Sequence, residues 1–143
     1  MSEEEVRKVS QQFYNALTDM ANGIAGKMDG IWLHDKSVTA MHPIDGRDIG
    51  WTAVSNSFDQ VAGLASGGKV ELKDRLIHVL GDTAYEIGTE TGEFKLAGND
   101  VKIGQRVTNI YHLKDGQWKM IHHHADTSAA MLDVLSKLQS STE

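Results

Sequence analysis

Three consecutive histidines, His122, His123 and His124, are followed two positions later by Asp126. An imidazole titrates near neutrality and a carboxylate beside it tunes it, so this grouping in a half-dry pocket can move protons at ordinary pH. The histidines close a long hairpin whose turn signal is Asp115-Gly116, a dipeptide suited to a two-residue loop. With that dipeptide as the whole loop, Leu113 pairs with Trp118, Tyr111 with Met120, Asn109 with His122 and Val107 with His124, all on one face. The face begins apolar at the turn and becomes polar away from it, as a cone with a packed narrow end and a ligand-bearing wide end requires. On this register Asn109, His122 and His124 are expected to meet a ligand, and His124 and Asp126 are the catalytic candidates, either of which can supply an acid–base group. His123 is expected to face away with Arg106, Thr108 and Ile110. The same residues can equally be hydrogen-bonded strand positions at a pocket mouth, with no chemistry attached. A bulge at Gly116 would shift the pairing by one and set Arg106 beside His124.

The spacing His122-x-His124-x-Asp126, with His42 as a further donor, also presents metal-ligand types on one strand face. A set confined to one strand is incomplete, so no metal is expected, and no cofactor. Zero cysteines exclude disulfides and thiolate sites. His42 precedes Pro43 in a turn-rich loop, a position from which it can lean over the pocket. Trp32, Trp51, Phe58 and Tyr85 are candidates for an apolar wall or for plain core. The chain carries no nucleophile elbow, phosphate loop or dinucleotide fingerprint in a suitable setting.

The elements that must position these residues follow from periodicity. Val6, Val9, Phe13, Leu17, Met20 and Ile24 recur at spacings of three and four, the stripe of an α-helix begun by a Ser2/Glu5 capping box and ended at Asn22-Gly23. Residues 24–33 are expected to form a second short helix with Met28, Ile31 and Trp32 inward, and residues 37–41 a short strand. Asp48 can cap a third helix carrying Val54, Phe58, Val61 and Ala65, ended by Ser66-Gly67-Gly68. Residues 70–80, 83–93, 101–113 and 118–125 are strand-like, with a turn at Gly81-Asp82 and a looser one around Gly98-Asn99. A last helix is expected from Ser128. Helices first and a meander second imply an α+β domain, residues 1–143 as a single unit, with a curved antiparallel sheet covered on one face by the N-terminal helices around a cone-shaped pocket.

The 143 residues carry a net charge of −6, with 40% hydrophobic and 24% charged positions, the profile of an ordered globular chain. Without a run of Lys or Arg, a nucleic-acid partner is not expected. The acidic start Met1-Ser2-Glu3-Glu4-Glu5 is unlike a targeting peptide and no stretch is apolar enough to span a bilayer, so no membrane partner and a cytoplasmic location are expected.

The stretch from Asp115-Gly116-Gln117-Trp118 to His122-His123-His124-Ala125-Asp126 resembles the closing strand of nuclear transport factor 2-like proteins, including SnoaL-like domains. Trp32, the run Val38 to Pro43, Gly50-Trp51 opening a helix, and His78 to Tyr85 follow the order of that family across nearly the whole chain. The resemblance implies the cone fold, with Trp32 and His42 at its mouth. It does not choose an activity, because the same cone serves ketosteroid isomerases, polyketide cyclases, epoxide hydrolases, dehydratases and the non-catalytic association domain of calmodulin-dependent kinase. The Tyr plus acid pair of the isomerases and the Asp-Arg-Asp set of the epoxide hydrolases cannot be placed here. Three readings follow. One is a proton-transfer enzyme of isomerase, cyclase or dehydratase type, acting on a small hydrophobic or carbonyl-bearing metabolite. The others are a carrier or sensor for such a molecule and an oligomerisation module. A carboxylate or histidine strongly perturbed deep in an apolar pocket would favour the enzyme. The outer sheet face, with Arg106, Thr108, Ile110 and Ile121, is expected to form a homodimer.

Overall fold

The structure is a computed structural model and describes residues 2–141; Met1, Thr142 and Glu143, within the expected bounds 1–143, lie outside the described residues. Helix α1 (Ser2–Ala21) buries Val6, Phe13 and Leu17 on the expected stripe, and Ser10 and Tyr14 with them. Glu3, Glu4 and Glu5 occupy its first turn, where negative charge complements the helix dipole. The remaining elements are β1 (Thr39–Met41), β2 (Asp48–Ile49), α2 (Trp51–Ala62), β3 (Ala65–Leu80), β4 (Thr83–Leu96), β5 (Asn99–Lys114), β6 (Gln117–Ala125) and α3 (Ala129–Ser141). The strands form one sheet in the order β2-β1-β6-β5-β4-β3. All pairs are antiparallel except β1 with β6, which is parallel. The result is the α+β architecture expected, a curved six-stranded sheet whose inner face is covered by helices.

Several local expectations need correction. Residues 24–33 form a series of turns, not a helix, although Met28, Ile31 and Trp32 are buried as expected. Helix α2 starts at Trp51 behind Gly50 with no side-chain cap, and Asp48 lies in β2 instead. That helix stops at Ala62, because Ala65 to Gly68 join β3, where a Cβ on Gly68 would lie 2.1 Å from that of Phe94. The β4–β5 turn is tighter than expected: Leu96 pairs with Asn99 across Ala97-Gly98. Among the described residues, no helix is long and apolar enough to cross a membrane.

The β5–β6 hairpin decides where the histidines point. Asp115 (φ 52°) and Gly116 (φ 76°) both adopt the left-handed conformation of a two-residue turn. Leu113 then pairs with Trp118 and Tyr111 with Met120, as expected. Between Tyr111 and Ile110 the register shifts, because Ile121 is an extra residue on β6. Beyond that bulge Ile110 pairs with His122, Asn109 with His123, Thr108 with His124 and Val107 with Ala125. One inserted residue reverses every facing after it. His123, expected outside, is therefore inside and 2% exposed. His122 and His124, expected inside, stand on the outer face, and so does the Asp126 that follows them. The bulge is at Ile121, not Gly116.

Candidate functional site

The inner faces of β4 and β5 bring together an unusual set of polar side chains. Along β4, Glu86, Gly88, Glu90 and Gly92 share the inward face, paired in turn with Asn109, Val107, Gln105 and Ile103 of β5. Glu86, Glu90, Gln105, Asn109 and His123 are all buried beneath α1. The glycines between the glutamates let β3 come close: a Cβ on Gly92 would lie 2.5 Å from the Lys69 carbonyl oxygen and one on Gly88 2.8 Å from that of Lys73.

These groups form one network with a direction. Glu86 Oε1 accepts from Tyr111 Oη at 2.8 Å and from Asn109 Nδ2 at 2.9 Å. Its Oε2 faces Arg75 Nε at 3.2 Å. With its amide nitrogen committed to Glu86 and to Tyr14 Oη (3.2 Å), Asn109 turns its Oδ1 toward His123 Nδ1, 2.6 Å away. A carbonyl oxygen only accepts, so His123 Nδ1 carries the proton and Nε2 keeps its lone pair. Burial also holds the His123 pKa well below the ordinary histidine value, with His42, His122 and His124 adding to the effect. The ring is neutral, with one defined tautomer.

Nε2 of that ring points at Glu90 Oε2, 3.7 Å away. Glu90 Oε2 also accepts from Tyr14 Oη at 2.9 Å, and its Oε1 accepts from Gln105 Nε2 at 3.0 Å. Burial raises the Glu90 carboxyl from 4.5 to about 7, against the opposing bonds from Tyr14 and Gln105, with the nearby Glu86 adding to the rise. Glu90 and His123 therefore compete for one proton, held on the carboxyl below about pH 7.

Glu90, Gln105 and His123 form the polar end of a small cavity of about 40 Å³. Apart from Ser57, most of the rest of its wall is apolar, including Leu17, Phe58, Val70, Phe94 and Ile103, with Met20 and Met131 also at its border. His42 and Pro43 close another side. Burial lowers the pKa of His42 while Asp48, 3.3 Å from its Nε2, opposes that. The His42 ring packs edge-on to Phe58 with centroids 4.7 Å apart, and lies 6.1 Å from that of His123. A carboxyl titrating near neutrality in such a wall can give or take a proton at a ligand.

Of the residues singled out from sequence as candidates for chemistry or an apolar wall, His42 and Phe58 line the cavity. Asn109 lies one bond behind it as the group that orients His123. Trp32 is core, 1% exposed and packed against Phe13, Phe58 and Trp51, and it pairs with Met120 as an isolated bridge. His122 is half-buried on the outer face, within 2.6 Å of Thr39 Oγ1. His124 is exposed, and Asp126 accepts from Arg106 Nε at 2.7 Å in an exposed ion pair. The two border an open groove across the sheet with Leu76 and Ile87, which lacks the enclosure that tunes a proton donor. His42 lies on the other side of the sheet, so it does not join His122, His124 and Asp126. Glu90, Gln105 and Tyr14 were missed. The available signal was the alternation Glu86-x-Gly88-x-Glu90-x-Gly92, a strand face too bare to be ordinary solvent surface.

The family model described as SnoaL-like domain matches residues 6–130, and the chain belongs to that family. No curated protein matches it significantly. A solved protein of the nuclear transport factor 2-like family from Streptomyces avermitilis, provisionally called a dehydratase, is 25% identical. It matches with a TM-score of 0.76, over 89% of this chain and 96% of that one. A nuclear transport factor 2-like superfamily protein from Salmonella enterica matches with a TM-score of 0.77 at 17% identity, over 88% and 90%. The association domain of CaMKII from C. elegans matches with a TM-score of 0.67 at 17% identity, over 88% and 95%. The last two likenesses are of fold alone.

Proposed function

We propose that this SnoaL-like domain binds a small, largely apolar, carbonyl-bearing metabolite in the cone and catalyses proton transfer on it with its own side chains, as an isomerase, cyclase or dehydratase does. The observation that carries the reading is the Glu90 carboxyl, completely buried at the end of an apolar cavity and raised to about 7. Glu90 acts as acid when protonated and as base when ionised, and the fixed lone pair of His123 beside it takes or returns the same proton. These two take the roles expected of His124 and Asp126. His42 borders the ligand, and Asn109 is a positioning residue for His123. The provisional dehydratase name of the Streptomyces relative is of this reaction type.

The test is exchange of carbon-bound protons for deuterium in a panel of small enolisable ketones, hydroxyacetone and acetoin among them, followed by NMR. Glu90→Gln is expected to lower an enzyme-dependent exchange rate by about 10²–10⁴-fold, the usual weight of a general acid–base group. A Glu90→Gln variant that exchanges as fast as the wild type removes the assignment. Binding without exchange in the wild type would leave a non-catalytic ligand-binding module.

The outer face of the sheet favours a homodimer. Leu76, Leu80 and Ile87 are 47%, 65% and 40% exposed there, beside Tyr85 and Ile110, and Ile49 at the sheet edge is 62% exposed. An uncovered apolar face of this kind is suited to a second copy, back to back.

A further inference from the structure

We infer that the ligand of this cavity carries a hydrogen-bond donor, a hydroxyl or an ammonium, on a small apolar body, and that carboxylates and phosphates are rejected. The inference rests on the reading of the cavity as the binding site. It follows from which polar atoms are already committed. Gln105 spends its amide nitrogen on Glu90, and its Oε1 is buried with no hydrogen-bond partner among the described residues. The residue itself is 4% exposed and lines the cavity, so the orphaned acceptor is buried beside it. His123 spends Nδ1 on Asn109, whose orientation is fixed in turn by Glu86, and is left with a second bare acceptor at Nε2. Glu90 already accepts at both oxygens, from Tyr14 and Gln105.

Two acceptors and a carboxyl therefore border the cavity with the Ser57 hydroxyl and His42, whose Nε2 lies 3.3 Å from Asp48, and among the described residues neither Lys nor Arg lines it. An anion placed there would meet lone pairs with no cation to neutralise it, because burial lowers the His42 pKa and leaves that ring neutral at pH 7.5, and burying an unpaired charge is prohibitive. A hydroxyl or ammonium instead satisfies Gln105 Oε1, an atom that otherwise bears the cost of an unmade bond. A carbonyl elsewhere on the same ligand can accept from protonated Glu90, which makes a hydroxy-carbonyl compound a good fit to both readings. The volume of about 40 Å³ limits the enclosed part to a few heavy atoms, since a cavity of about 150 Å³ is what holds benzene. A larger apolar body must displace Met20 or Met131, flexible side chains at the cavity border.

The experiment compares three probes of one shape, isobutanol, isobutylamine and isobutyrate, titrated at pH 7.5 into the full chain labelled with ¹⁵N. The signals followed are the Gln105 side-chain amide and the His123 ring nitrogens. The alcohol or the amine is expected to bind on the order of tenfold more tightly than isobutyrate. It should shift the His123 Nε2 resonance toward that of a hydrogen-bonded acceptor. Which of the two binds better distinguishes hydroxyl from ammonium. Gln105→Leu is expected to abolish most of the preference, and the wild-type spectra alone decide the matter if that variant does not fold. Isobutyrate binding as tightly as the donors overturns the inference, and so does donor binding that leaves the Gln105 and His123 signals unmoved. Loss of the preference with Glu90-dependent exchange intact would sink only this inference, whereas Glu90-independent exchange with the preference intact would sink only the catalytic reading.

Discussion

Replacing Glu90 by Gln removes one titrating group while keeping its size, and the effect on stability can be worked out. The carboxyl titrates at about 7 in the folded chain against 4.5 ordinarily. Between those values the folded state holds more protons at this position than the unfolded state. The difference of unfolded minus folded is negative, so this group's contribution to stability falls as pH rises. The gap, 7 − 4.5, at about 1.4 kcal/mol per pH unit, comes to about 3 kcal/mol. The stability of Glu90→Gln relative to the wild type should therefore rise by about 3 kcal/mol from pH 4.5 to pH 7 and stay level above that. Taking the difference is essential, because His42, His122 and His123 act in the opposite sense. Burial lowers their pKa values below 6.5, so the unfolded state binds the extra protons and stability grows as pH rises toward 6.5. The contributions of His42 and His122 are common to both proteins, and burial, the largest cause of the low His123 pKa, acts with either residue at position 90. Urea unfolding followed by tryptophan fluorescence at pH 5, 6, 7 and 8 measures the difference. A constant gap across the range would mean that Glu90 is already ionised at pH 5, and a group ionised at pH 5 is no acid at neutrality.

Two further outcomes test the facings. Trp118→Ala is expected to cost about 3–5 kcal/mol, as a large-to-small change at a buried position, while His124→Ala should stay within about 0.5 kcal/mol; equal shifts in thermal midpoint would contradict the register with its bulge at Ile121. In sedimentation, the wild type should run as a dimer and Leu76→Asp or Ile87→Asp as a monomer; a wild type that is already a monomer at micromolar concentration removes the dimer.

The facings near the turn were legible because three signals agree there: a turn dipeptide that tolerates left-handed backbone, strict alternation, and the large apolar residues Tyr111, Trp118 and Met120 on one side. The histidine facings were not legible, because the residue that reverses them is ordinary. Ile121 is β-branched, apolar and at home in any strand, and its role as the extra residue appears only in the pairing with β5. The glutamates were hidden for a different reason. On β4 the apolar residues Tyr85 and Ile87 face outward and the charged Glu86 and Glu90 inward, so a reading by hydrophobicity puts the strand upside down. Tertiary context overrides the pattern here, since Tyr14, Tyr111, Asn109 and Gln105 supply the partners that make buried carboxyls tolerable.

That inversion carries an argument of its own. An apolar core at Glu86, Glu90 and Asn109 would avoid the desolvation of buried polar groups and would serve folding as well or better. The chain instead holds Arg75, Glu86, Asn109 and His123 in a sequence in which each group fixes the orientation of the next. The last member of that sequence is a neutral imidazole whose free nitrogen faces a carboxyl titrating near 7. Only the final pair touches the cavity, and the groups behind it have no access to a ligand. Their effect is to hold one lone pair in one direction, and such rigidity has no use in packing but is what a proton-transfer site requires, because the orientation is set before the ligand arrives.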